Sequence, residues 1–270
     1  MTSKAPLDAP IVDSHAHVYT TDMPLSATAW HQPPEDATIE QYLATLDRHG
    51  VKYAVLAAAS LFDDYNDYSI EATRRHRRLR TTVIVRPTID PYVMRMMKDD
   101  GVVGVRFQWR NVKDLPDITT PEYRRFFRRV RDLDWHVHIN QTADKLSAPM
   151  ATLQASGVKL VVDHFGHPPR GGVVSEGFQA ILRAIDNGRT WVKLSAGYRL
   201  ETPQLAQECA RALLAHAGPE RLLWGSDWPF AAFENSMRYE YAVASFKEWI
   251  PDEKIRRIIS GETALRLYFT

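Results

Sequence analysis

Short apolar runs alternate with amphipathic stretches along the whole chain, and the alternation predicts eight strand–helix units. The runs fall at residues 11–17, 53–59, 82–86, 102–107, 136–140, 159–164, 191–195 and 222–227. They are near-continuous Val, Ile, Leu and Ala, as expected of strands covered on both faces. Helix signals recur between them. Thr38-Ile-Glu-Gln41 reads as a capping box whose helix ends near Gly50. Pro91, Pro121 and Pro203 stand where a first helical turn would begin, and Ser156-Gly157 closes a helix ahead of Lys159. With neither a Gly-x-Gly-x-x-Gly nor a Walker-type loop, the pattern favours a single-domain α/β chain, a (β/α)8 TIM barrel spanning residues 1–270, over an open nucleotide-binding sheet. The longest insertion, about residues 19–37, follows the first strand and carries Trp30, His31 and three prolines. It should wall or cover the barrel mouth.

Composition narrows the class of function. The 270 residues are 44% hydrophobic and 25% charged with a net charge of +1, so no bulk field draws nucleic acid or an anionic membrane. An arginine cluster (Arg74, Arg75, Arg77, Arg78, Arg80) reads as a solvated helix face. The lone Cys209 lies in a helical Ala/Leu pattern and rules out an internal disulfide framework. The N-terminus has no apolar leader and no run approaches a bilayer span, so a cytoplasmic protein is expected, with homo-oligomerisation left open.

Chemistry-bearing residues gather at the carboxyl ends of the predicted strands, where barrel enzymes keep their active sites. Strand one ends in His15 and His17, two apart and so on one face. Two inward imidazoles can hold a metal or polarise a carbonyl. Later strand ends carry Ser60, Arg86, Arg106 with Arg110 after it, His138 and Asn140 on one face of strand five, Asp163-His164, Lys193 and Ser195 with Arg199 following, and Asp227. Burying so many polar groups for packing alone would be costly. The set reads as an active site.

His15-x-His17, Asp163-His164-Phe-Gly-His-Pro, Val-Lys193-Leu-Ser and Trp224-Gly-Ser-Asp227-Trp-Pro together resemble the amidohydrolase superfamily. The likeness is to the branch of 2-pyrone-4,6-dicarboxylate lactonase and related sugar-lactone and muconolactone hydrolases, and it runs from strand one to the C-terminus. The resemblance implies a hydrolase in which Asp227 activates water and His15, His17 and His164 polarise the carbonyl under attack. It also implies two alternatives for the cofactor: mononuclear zinc on His15, His17, His138 and Asp227, or no metal. His138 departs from the branch, where Gln is frequent, and Arg106 and Gln108 at strand four leave no bridging ligand for a second metal.

Arginine forks bind carboxylates bidentately, so Arg86, Arg106, Arg110 and Arg199 point to a small anionic lactone, with Ser60 and Asn140 as further polar contacts. Trp109, Tyr198, Trp228 and Phe230 are candidates to stack on a flat ring. The expected activity is lactone hydrolysis, falling on the acid side as a carboxylate titrates. A zinc-dependent decarboxylase of the same superfamily is the alternative reading, and a non-catalytic acid-binding barrel a third.

Overall fold

The computed structural model describes residues 8–270; residues 1–6, read above for a leader, lie outside the described residues. Eight parallel strands follow one another around a ring in chain order. They are β1 (Val12–Ala16), β2 (Tyr53–Leu56), β3 (Leu79–Val83), β4 (Val102–Gln108), β5 (His136–Asn140), β6 (Lys159–Val162), β7 (Thr190–Ser195) and β8 (Leu222–Gly225). Each is followed by a helix: α1 (Ile39–His49), α2 (Asp67–Arg75), α3 (Pro91–Asp99), α4 (Pro121–Asp132), α5 (Ser147–Ala155), α6 (Glu176–Ile185), α7 (Pro203–Ala217) and α8 (Tyr239–Trp249). This is a single-domain TIM barrel. The start signals act as read: Thr38 and Gln41 form a reciprocal capping box, and Pro91, Pro121 and Pro203 each open a helix behind an Asp90, Thr120 or Thr202 cap.

The ring closes between β1 and β8 through two backbone bonds, Asp227 N–H to the His15 carbonyl (2.8 Å) and His17 N–H to the Trp228 carbonyl (2.7 Å). The strands approach closely because Gly225 faces β1: a Cβ there would lie 2.5 Å from the His15 Cβ. Asp13 pins the same seam from the helix side. Its buried carboxylate accepts from Ser226 N–H (2.8 Å), Ser226 Oγ (2.6 Å), Tyr42 of α1 (2.9 Å) and Tyr239 of α8 (3.0 Å). A register irregularity in β1 between Asp13 and Ala16 interrupts the alternation. Asp13 can therefore face the helices while His15 and His17 both reach the interior.

Apolar packing leaves one end of the barrel for chemistry. Val12, Val55, Val161 and Leu223 form an inner cluster with Ala264, Leu267 and Tyr268. The last three belong to a short terminal helix, α10 (Ala264–Tyr268), reached through α9 (Glu253–Arg257). That helix closes the end where the strands begin. No helix among the described residues is long and apolar enough to cross a membrane.

One strand is displaced from its expected place. Residues 82–86 were the expectation for strand three, whereas β3 is Leu79–Val83. After Val83 the Asn66 side chain takes over: its amide donates to the Ile84 carbonyl (2.9 Å) and its Oδ1 accepts from Ile84 N–H (3.0 Å). The arginine cluster is correspondingly divided, with Arg74 and Arg75 ending α2 and Arg80 inside β3, its guanidinium 4.6 Å from the Phe269 ring centre. Flanking charge concealed the start of the strand.

Asp13→Asn should destabilise the fold, because an amide NH2 would face donors that need an acceptor. Each buried donor left unpaired costs about 1–3 kcal/mol. The check is urea unfolding, where the midpoint should fall with an unchanged slope.

Candidate active site

The reactive side chains sit at or just beyond the ladder ends of β1, β6 and β8, on backbone that few residues adopt. His164, Phe165 and His167 have φ of 53°, 56° and 42°, and Asp227 has φ of 66°. Left-handed geometry in non-glycine residues carries strain and clusters where function over-determines structure. Here it turns both side chains inward over the barrel axis. The Nε2 atoms of His17, His15 and His164 stand 3.5, 3.6 and 3.8 Å from Asp227 Oδ1. Each ring is held from behind. His17 Nδ1–H donates to the Ala57 carbonyl (2.7 Å), and His164 Nδ1 bonds Ser195 Oγ (2.8 Å).

The two oxygens of Asp227 have different surroundings. Oδ2 accepts from Tyr198 Oη (2.6 Å) and Arg199 Nε (2.8 Å), while Oδ1 faces the three imidazoles. Burial alone would raise this carboxyl, but the Arg199 guanidinium, with His164 and His17 beside it, holds it well below the usual carboxylate range. Burial pushes His164 down to about 4 against the pull of Asp227 and holds His15 well below the ordinary imidazole value.

Above Asp227 opens a cavity of about 280 Å³. Its wall carries Arg106, Arg110 and Arg199 together with His17, His164, Asn140 and Ser60, and among the described residues Asp227 is its only carboxylate. Tyr19 and Trp30, from the 19–37 insertion, close one side, the insertion being tied at its base by a Tyr19–Ala37 bridge. Trp30 Nε1 donates to Ser60 Oγ (3.3 Å) and His31 pairs with Glu234 (2.6 Å).

The Amidohydrolase family model matches residues 12–270. The chain belongs to this family. It is 25% identical over 267 residues to 4-sulfomuconolactone hydrolase of Hydrogenophaga intermedia, covering 95% of this chain and 88% of the relative. It is 28% identical over 281 residues to a 2-pyrone-4,6-dicarboxylate hydrolase of Comamonas testosteroni, covering 97% and 91%. Among solved structures, a "probable" 2-pyrone-4,6-dicarboxylic acid hydrolase of Acinetobacter baumannii with citric acid bound superimposes with a TM-score of 0.92. It is 27% identical and covers 97% of this chain and 100% of that one.

This amidohydrolase brings together His15, His17, His164 and Asp227, with Arg106, Arg110, Arg199, Ser60 and Asn140 around the cavity. It does not bring Arg86 there. Because β3 ends early, Arg86 lies three residues past its end, its side chain 79% exposed and 3.8 Å from Asp64, on a neighbouring cavity. Two of the arginines are already engaged. Arg106 pairs with Asp163 (3.0 Å) and the Ala58 carbonyl (2.7 Å), and Arg199 with Asp227 and the Ala231 carbonyl (2.9 Å). Arg110 has no carboxylate partner among the described residues, and burial together with Arg199 lowers its pKa. The aromatic residues differ as well. Trp109 stacks on Phe107 and Trp228 on Tyr42, so the rings lining the cavity are Tyr19, Trp30 and Phe233.

His15, His164 and Asp227 offer ligand atoms within 4.8 Å of one another and could hold a metal ion. Two imidazoles and a carboxylate are donors zinc accepts, and a bound ion would supply polarisation of a substrate oxygen. His138, expected in that set, lies elsewhere: its Nδ1 meets Lys193 Nζ at 3.1 Å inside the barrel. His164 stands in the group instead, and His17, also expected there, is not part of it.

Sequence reasoning placed Asp163 and Lys193 at strand ends but gave them no role, and it read Tyr198 only as a stacking ring. All three lie beside reactive groups. Lys193 is fully buried, 2.9 Å from His15 Nδ1 and 3.1 Å from Asp163 Oδ1. Burial would raise Asp163, but Lys193, His15 and Arg106 hold it well below the usual range. The available signal was inward alternation, which puts Lys193 on the same face as Ser195.

Since protonation of His164 is disfavoured by burial, the ring should remain neutral as pH falls from 8 and charge only near pH 4. Histidine ring resonances assigned through His164→Gln should show that midpoint, and one near 6.5 would mean an open, solvated ring.

Proposed function

We propose that this amidohydrolase opens a small carboxylate-bearing lactone by hydrolysis. The observation that carries the reading is the undonated Oδ1 of Asp227, facing three imidazoles beneath a cavity walled by three arginines. A carboxylate held this way stays ionised and can accept a proton from water. The His15 and His164 ring nitrogens are placed to meet a carbonyl oxygen as it gains charge. Water oxygen adds to the lactone carbonyl while Asp227 takes its proton. The ring C–O bond then breaks, and the proton passes to the departing oxygen. The products are an acid and an alcohol or enol.

Three cations against one carboxylate favour an anionic substrate. Arg110 is the one left to meet it, because Arg106 and Arg199 are bonded to Asp163 and Asp227. Two relatives are named for 4-sulfomuconolactone and pyrone dicarboxylate substrates, and a third holds citric acid, which supports the same class of ligand. The alternative, a decarboxylase, is separated by product analysis. Hydrolysis in ¹⁸O-water places one label in the new carboxylate and releases no carbon dioxide. A panel of carboxylated lactones, assayed for acid release, is the direct test; turnover confined to neutral amides would exclude the reading.

Asp227→Asn keeps the shape and removes the base, so kcat should fall by roughly 10²–10⁴ in a normally folded protein. Near-native kcat would make Asp227 a structural cap. Because burial is outweighed by Arg199, activity should not decline through Asp227 protonation between pH 8 and 5, the acid limb lying below the usual carboxylate range.

The arginines should separate kinetically. Arg110→Met should raise KM for the anionic substrate with little change in kcat, as expected for a lost binding contact. Arg199→Met should lower kcat as well, because Asp227 loses a bonded partner. Identical effects in both variants would mean that Arg199 also acts only on binding.

A further inference from the structure

A lysine with no exposed surface lies directly beneath the imidazoles, and the hydrolytic steps do not use it. Lys193 extends from β7 into the barrel, and its ammonium has three N–H bonds to place. Three acceptors surround it: His15 Nδ1 at 2.9 Å, His138 Nδ1 at 3.1 Å and Asp163 Oδ1 at 3.1 Å. The two ring contacts are hydrogen bonds and the carboxylate contact is an ion pair.

The bond to Lys193 constrains His15. Asp163 Oδ1 also lies 3.4 Å from His15 Nδ1, so the ring could in principle donate there. That arrangement would set an Nδ1–H against an ammonium hydrogen at 2.9 Å, and the ammonium has no lone pair to receive it. The nearer contact decides: Nδ1 accepts, and the proton of the neutral ring sits on Nε2. A second, longer contact agrees with this answer. His17 Nδ1 must donate, since its partner at 2.7 Å is the Ala57 carbonyl, which leaves a lone pair on His17 Nε2. His15 Nε2 stands 3.3 Å from that atom, and a hydrogen bond between them needs the proton on His15.

We propose that Lys193 is a positioning residue that locks His15 in the Nε2–H tautomer, making it a hydrogen-bond donor that turns from His17 to a substrate oxygen when one is bound and denying its Nε2 lone pair to a metal ion. The consequence for turnover rests on the hydrolase reading; the tautomer does not. Removing the ammonium should release the lock. His15 Nδ1–H can then donate to Asp163 Oδ1, and the Nε2 lone pair joins His164 and Asp227 in facing the same point. A carboxylate behind a ligating imidazole is the usual support for a zinc-bound histidine.

The decisive measurement is the nitrogen spectrum of ¹⁵N-histidine-labelled protein at neutral pH, with His15 assigned by its loss in His15→Gln. Wild-type protein should show His15 unprotonated at Nδ1 and protonated at Nε2. The reverse pattern would overturn the proposal whatever the substrate proves to be. In Lys193→Met the His15 pattern should invert, and zinc ion titrated into the apoprotein should bind at least about tenfold more tightly than to wild type. A folded Lys193→Met protein with an unchanged tautomer and unchanged zinc affinity would also overturn it. If that variant fails to fold, the wild-type spectrum alone decides. Failure to find a lactone substrate would overturn the hydrolase reading and leave the tautomer result standing.

Discussion

The seam between β1 and β8 is the constraint on which the site depends. A parallel barrel must close, and here the first and last strands meet through only a few backbone bonds. Those bonds involve His15, His17 and Asp227 themselves. Their side chains therefore share one geometry with the ring closure, and neither can shift without the other. Gly225 permits the approach and Asp13 fastens it to α1 and α8. Such coupling holds a reacting group to within fractions of an ångström, which is what oriented catalysis needs.

Below the seam, the interior holds charge where a barrel usually holds aliphatic layers. Arg106, Asp163 and Lys193 are all buried, and Asp163 forms ion pairs with both cations. Desolvating three charges is expensive, and an apolar layer of the same volume could be as stable. What the trio adds is direction. Asp163 fixes Arg106 at the cavity wall, and Lys193 presents hydrogens to two imidazoles whose tautomers would otherwise be free. The apolar layer survives lower down, where Val12, Val55, Val161 and Leu223 meet the terminal helix. Stability is concentrated at one end of the barrel and chemistry at the other.

The barrel was legible because parallel strands buried on both faces leave long apolar runs, and because proline and capping residues mark where helices start. β3 was misplaced for a local reason: Arg80 interrupts an apolar run yet points its charge over Phe269. His15, His17, His164 and Asp227 could be read from motifs at strand ends. The arginines could be seen but not apportioned. A sequence shows that Arg106 and Arg199 are cationic, but not that Asp163 and Asp227 lie folded against them. Arg86 was drawn in by the same strand error, and Lys193 was passed over because its partners come from β1, β5 and the residue after β6, far away in the chain.

The division of Asp227 into one bonded and one facing oxygen implies where the catalytic effort lies on the hydrolase reading. A carboxylate that burial would raise, but that Arg199 and the neighbouring histidines hold well below its usual pKa, is always available as a base, but it is a weak one. Proton transfer from water to such a group is uphill unless the water oxygen is already bonding to carbon. The carbonyl must therefore be strongly polarised before the proton moves, and that places the burden on hydrogen-bond donors aimed at its oxygen. A neutral imidazole gives such a donor without adding a charge that would hold Asp227 lower still. His15, kept well below the ordinary imidazole range by burial and by Lys193, meets this requirement. The buried lysine and the weak base are then two sides of one electrostatic arrangement, in which Lys193 keeps its charge behind His15 and leaves a neutral donor in front.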